Sequence, residues 1–309
     1  MKKIKMLLLI CALISSQKTL SEIVQDSYKP ALFYNTETFP EGIFDTSDNP
    51  SFSGKVFPHA SLAWDLNNVV FSTTANTPKA LWNLYQKYGL LKTMAFYQEV
   101  MKVISKKSAY KKAGDPRGFV WNALFYDIQN DEFRKILFET TIEANTLHKP
   151  IIDLLKDLTL NLHQNIVLSN MGQDILNLQI DRLEKQLTEP LSSNDLSSKQ
   201  VDTFFILNFL KNPLNTVASQ ENGWLHKPDK ASYETCLTKI KENKDTQNNL
   251  TIFIDDKREN VEAAVQNGLF DIAILYSNPE DLRDIFESLK LINVPSIRNF
   301  KEVQNLFSA

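Results

Sequence analysis

Four short polar clusters interrupt otherwise apolar stretches of this chain: Asp65-Leu66-Asn67-Asn68, Ser169-Asn170, Lys227 before Pro228, and Asp255-Asp256. Each is commonplace alone. An Asp-x-Asn stretch can cap a turn, Ser-Asn can begin a helix, and a lysine before proline often sits in an exposed loop. Taken together they supply what attack on a phosphoryl group requires. A carboxylate can attack phosphorus and divide one hard displacement into two easier ones; Asp65 is the candidate. Attack of one anion on another needs positioned charge, and Lys227 offers a point positive charge. The Ser169 hydroxyl and neighbouring backbone N–H groups can hold phosphate oxygens. Asp255 and Asp256 close an apolar run, where paired carboxylates repel one another and call for a cation. Magnesium, which takes oxygen ligands and keeps several waters, suits such a pair.

The elements that must position these residues follow from hydrophobic pattern. Ala60 to Phe71 is an apolar run broken at Asp65, which fits a buried parallel strand ending at the carboxylate. Asn165 to Leu168 is a short strand ending in Ser169, and Leu250 to Ile254 is the clearest buried strand, ending in Asp255. Ile272 to Leu275 gives one more. Helical patterns follow at Asp174 to Leu187, Lys230 to Ile240, Asn260 to Asn267 and Pro279 to Leu289. Polar residues at the C-terminal ends of parallel strands lie where open α/β sheets bind ligands. From Thr77 to about Asp157 the pattern is helical throughout, broken by Gly89 and by the turn region Lys111 to Gly118. The expected fold is therefore α/β: a Rossmann-like doubly wound parallel sheet carrying an inserted all-helical cap. The division is 60–76 and 158–309 for the core, 77–157 for the cap, and 22–59 for an irregular N-terminal extension.

In order along the chain, Asp-x-Asn-x-Val, Leu-Ser-Asn, Gly-x-x-x-Lys-Pro-x-x-x-x-Tyr and Ile-Asp-Asp-x-x-x-Asn-Val-x-x-Ala resemble the four motifs of the haloacid dehalogenase (HAD) superfamily. The resemblance covers roughly residues 60 to 290. The stretch from Tyr276 to Leu282 is similar to the branch that includes the N-terminal phosphatase domain of soluble epoxide hydrolases. It implies a magnesium-dependent hydrolase of phosphoric monoesters acting through an aspartyl-phosphate on Asp65. Lys227 would be catalytic beside it, and Ser169 and Asn170 would bind phosphate. Asp65, the Asn67 backbone carbonyl, Asp255 and Asp256 would hold Mg²⁺. The substrate would be a small phosphorylated metabolite. The dehalogenases that name the superfamily usually lack paired acids in the fourth motif, so Asp255-Asp256 argues for phosphoryl transfer.

Asn67 departs from that pattern. Phosphatases of the superfamily mostly carry a second aspartate there, which protonates the leaving alkoxide and then activates water. An amide can hydrogen-bond a leaving group but has no proton to transfer near neutral pH. Three readings stay open: an enzyme for substrates with good leaving groups, a slow phosphatase, or a silent relative that binds a phosphorylated ligand or a protein partner.

Composition narrows the partners. The 309 residues carry a formal net charge of -3 with no basic footprint, which points away from nucleic acid. Met1-Lys2-Lys3-Ile4-Lys5, the apolar run Met6 to Ile14 and then Ser15-Ser16 have the order of a secretory signal, too short to span a bilayer. Residues 1–21 are accordingly expected to direct export, to a periplasmic or secreted location, with a cytoplasmic one as the alternative. Once they are removed, Cys236 is the only cysteine, so no disulfide framework is possible. His59, His148 and His163 lack ligand-like spacing, and no zinc site is expected.

Overall fold

The computed structural model describes residues 32–34, 59–72, 77–112, 115, 120–188, 198–219, 226–242 and 250–292. The expected signal segment, and all of the expected extension except 32–34 and His59, lie outside these residues. The strands are β1 (Leu32–Tyr34), β2 (Ala60–Trp64), β3 (Phe71–Ser72), β4 (Thr146–Leu147), β5 (Gln164–Leu168), β6 (Thr216–Val217), β7 (Leu250–Asp255) and β8 (Ile272–Leu275). The helices are α1 (Thr77–Lys112, kinked at Gly89), α2 (Val120–Asp127), α3 (Asp131–Ala144), α4 (Lys149–Leu160), α5 (Gln173–Thr188), α6 (Ser198–Lys211), α7 (Lys230–Glu242), α8 (Arg258–Gln266) and α9 (Pro279–Ser288).

Six strands form one sheet in the order β1-β8-β7-β2-β5-β6, with five strands parallel and β1 antiparallel to β8. All five residues of β2 are buried, as a strand covered on both faces requires. Side chains alternate between the faces. Leu62, Trp64, Ile252 and Ile254 enter one cluster with residues of α4, α5, α6 and α9, while Ala63, Phe253 and Ala273 join residues of α7 and α8 in a second. The class is thus α/β, a mostly parallel sheet flanked by helices. From β2 the chain proceeds to β5 and β6 on one side, then returns to β7 on the other. The order reverses between β2 and β7, and such reversal points open crevices at the strands' C-terminal ends.

Two boundaries differ from the sequence expectation. Leu32–Tyr34, expected to be irregular, pairs with β8 residue for residue as an edge strand. Three residues are too few to show a period. The expected cap boundary at 157 falls inside α4, whose Ile151, Ile152, Leu154, Leu155 and Leu158 are buried in the sheet's larger cluster. Helical periodicity continues through this region, but periodicity does not say which core a helix faces. The change of core comes earlier, at the two-stranded ribbon pairing Phe71 with Leu147 and Ser72 with Thr146. Between these strands α1, α2 and α3 pack around their own cluster, which includes Leu84, Phe96, Leu124, Ile128 and Ile136. Gly89 kinks α1 with φ 77° and ψ 169°, a conformation essentially reserved for glycine. Trp82 and Tyr126 of this segment are exposed. No described helix is long and apolar enough to cross a membrane.

α4 is also tied down by charge. Lys156, buried on its underside, pairs with Asp202 of α6 and with Asp153, while Arg283 of α9 donates to Asp157 at 2.7 Å. Both buried charges are partnered, as burial demands.

Candidate active site

Asp65 follows the last residue of β2, and its N–H donates to the Ile254 carbonyl of β7 at 2.8 Å. The ladder between β2 and β7 therefore continues to the nucleophile candidate itself. Asp255 ends β7, and Asp256 follows it. Carboxylate oxygens of Asp65, Asp255 and Asp256 lie within 4.8 Å of one another. Asp65 and Asp255 are buried and Asp256 is half-buried.

Lys227 reaches into this acidic crevice. Its ammonium donates to Asp65 Oδ1 at 2.6 Å, to Asp255 Oδ2 at 2.8 Å and to the Leu168 carbonyl at 2.8 Å. An ammonium has three protons, so all are spent on joining the tips of β2, β7 and β5. Burial alone would lower its pKa; the charges of Asp255 and Asp65 outweigh that and hold it above the ordinary lysine value. Lys227 is a fixed cation here.

One cation does not balance three carboxylates. Burial pushes Asp65 up to about 6 against the pull of Lys227, with Asp255 adding to the rise. Burial, then the charges of Asp65 and Asp255, push Asp256 up to about 7, with the Asn68 hydrogen bond opposing. Each group binds its proton more tightly in the folded state than at the ordinary value near 4. At these two groups the native state therefore holds more protons than the unfolded state over this window, and their contribution to stability falls as pH rises from about 4 to about 7. The stability difference between the protein and its Asp256→Asn variant, measured by urea denaturation in chelator-containing buffer, is expected to shift against the unmodified protein across that range. A flat difference would show that Asp256 titrates normally.

The remaining polar residues hold these groups in place. Asp255 accepts both of its Asn260 contacts at 3.0 Å and the Lys257 N–H at 2.9 Å. Tyr233 anchors Asn260 in turn, donating to its carbonyl at 2.8 Å. Asn68, at φ 63°, donates to Asp256 Oδ2 at 3.0 Å. Asparagine tolerates this left-handed conformation better than most residues. Asp256 Oδ1 and Asn67 Oδ1 are buried and have no hydrogen-bond partner. Unpaired oxygens beside clustered carboxylates make an all-oxygen donor set that fits a hard divalent cation.

The candidates fall into place unequally. Asp65, Lys227, Asp255 and Asp256 converge directly. Ser169 lies at the tip of β5, its Oγ accepting the Met171 N–H at 3.1 Å, which leaves its own proton to donate. Asn170, expected to bind phosphate, meets a different geometry. Its Oδ1 accepts the Lys227 N–H at 2.7 Å and its Nδ2 donates to the Lys227 carbonyl at 3.2 Å. Its side chain clamps the lysine's backbone. Asn68 had no assigned role in the sequence; its polar type and its place beside Asn67 were the available signal. Around Tyr276, whose OH lies 3.2 Å from His148 Nδ1, the chain turns into α9, capped by Asn278 accepting the Asp281 N–H at 2.8 Å. Compared with family models, curated proteins and solved structures, the chain matches none.

Proposed function

We propose that this protein is a HAD-like hydrolase, a magnesium-dependent phosphatase or phosphotransferase acting on a small phosphorylated metabolite through Asp65. The observation that carries the reading is the grouping of Asp65, Asp255 and Asp256 within 4.8 Å, cross-linked by Lys227, where the strand order reverses. Four sequence motifs of that superfamily supply these same residues, and the parallel sheet is compatible with the Rossmann-like core they imply. In this reading α1 to α3 are the substrate-selecting cap, and the N-terminal segment directs export.

Asp65 attacks phosphorus, the ester P–O bond breaks, and the leaving oxygen departs with the electron pair. Water then displaces Asp65 from the resulting aspartyl-phosphate and releases inorganic phosphate. Lys227 holds Asp65 in position and offsets charge that the incoming phosphate brings. Ser169 is free to donate to a phosphate oxygen. Asp65, Asp255, Asp256 and the Asn67 carbonyl would hold Mg²⁺, which supplies neutralisation of the phosphoryl oxygens' charge. Asn67 can donate a hydrogen bond to the leaving oxygen and cannot give it a proton.

A screen of the purified protein against sugar phosphates, nucleotides and acyl phosphates, with and without magnesium, tests this. Hydrolysis that requires magnesium and disappears in Asp65→Asn is expected. Activity surviving that substitution removes Asp65 as nucleophile. The second reading, a binding protein that does not turn over, is favoured by one observation, the amide at Asn67. Saturable binding of a phosphorylated compound without hydrolysis would establish it. Carbon–halogen cleavage is disfavoured by the paired acids Asp255 and Asp256.

A further inference from the structure

Asn67, whose carbonyl completes the proposed metal site, belongs to a turn that the Phe71 N–H closes onto the Leu66 carbonyl at 2.8 Å. Two links tie this turn to the acidic pair at the end of β7. One is the hydrogen bond from Asn68 to Asp256. The other runs through His148 and Tyr276, which the strand-tip site does not itself use. His148 stands where the chain returns from the helical segment, between β4 and α4. Its N–H donates to the Val70 carbonyl at 3.1 Å, and its Nδ1 lies 3.3 Å from the Val69 carbonyl. The same Nδ1 lies 3.2 Å from the Tyr276 hydroxyl, and the Tyr276 N–H donates to the Asp255 carbonyl at 2.9 Å. The two rings meet edge to face with centroids 6.2 Å apart, and Tyr276 is only 6% exposed. Burial, and then the charge of Asp256, raise the pKa of its hydroxyl above the ordinary phenol value, so this brace lies within the field of the acids. Asp255, Tyr276, His148, the turn and Asp256 thus form a closed ring of contacts.

We propose that His148 and Tyr276 are positioning residues that tune the acidic site for Mg²⁺ over Ca²⁺. Neither is a ligand. They fix how far the Asn67 turn stands from Asp255 and Asp256, and that spacing decides which ion is accommodated. Magnesium demands near-ideal octahedral geometry at short distances, whereas calcium accepts more ligands in looser arrangements. Groups that hold ligands in place govern affinity without touching the metal. The inference rests on the reading of Asp65, Asn67, Asp255 and Asp256 as a magnesium site.

Isothermal titration of MgCl₂ and of CaCl₂ into the full chain reads both affinities. In Tyr276→Phe, which removes a single oxygen, Mg²⁺ binding is expected to weaken about ten-fold and Ca²⁺ binding far less. His148→Phe keeps a ring and is expected to do the same. The double variant should lose no more than either single one, because both act through one link. Thermal melting in chelator verifies that the variants are folded, and Tyr276→Phe alone decides the question if His148→Phe is not. Undiminished Mg²⁺ affinity in Tyr276→Phe, an equal loss for both cations, or additive losses in the double variant overturn the inference and leave the metal site standing. An unmodified chain that binds no Mg²⁺ removes the metal site itself, and this inference with it.

Discussion

Asn67→Asp is expected to raise hydrolysis of ordinary phosphomonoesters by about two to four decades, the usual worth of a positioned general acid. The backbone already carries residue 67 past Asp65 on the same turn, and Asn67 Oδ1 is buried without a donor. A carboxyl group in that place, when protonated, hands its proton to the departing alkoxide and then takes one from water. The amide can do neither. The gain should depend on the leaving group. Acyl phosphates and sugar 1-phosphates leave without much help, so kcat/KM for them should rise far less than for simple alkyl phosphates. Comparing the two substrate classes separates a restored proton donor from a general improvement of the site. No gain on either class would mean that more than a proton donor is lacking.

Lys227→Met is expected to destabilise the protein by about 3–5 kcal/mol near pH 8, the cost of leaving buried carboxylates without their cation. The ammonium bonds to Asp65, Asp255 and the Leu168 carbonyl at once, and its side chain is 1% exposed. Methionine matches its length and supplies none of its protons. The loss should shrink at pH 5, where the orphaned acids can protonate, and should partly recover when magnesium is added at pH 8. Urea denaturation at both pH values, with and without magnesium, measures this. An undiminished midpoint in the variant would show that the three strand tips need no cation to stay together.

How far these features could be read from the chain depends on their range. Asp65, Ser169 and Asp255 stood out because each closes a run of buried apolar residues, and a strand's end is a local signal. Lys227 lacked such a strand, and its place came from motif order. Its contacts span 162 residues to Asp65 and 28 to Asp255, which no local pattern encodes. The Asn170 clamp joins residues 57 apart, and the buried pair of Lys156 with Asp202 joins residues 46 apart. A polar residue in a sequence shows that it must find a partner without showing which. Short elements were equally opaque: β1 and β6 contribute three and two residues, below the length at which alternation can be seen. Long strands such as β7 and amphipathic helices such as α9 were legible almost to the residue.

The β3–β4 ribbon has a consequence for how this chain can change. It brings the departure and return of the α1–α3 segment side by side, about one strand spacing or 5 Å apart. A few residues can bridge that distance, so the segment can lengthen, shrink or be exchanged without altering the order of the sheet or the seating of α4. Its separate hydrophobic cluster removes the other obstacle, since few core positions are shared. The helical segment and the sheet thus occupy stretches of sequence that can drift at different rates, and a swap of residues between the two ribbon strands is the simplest way to set a different group of helices on this sheet.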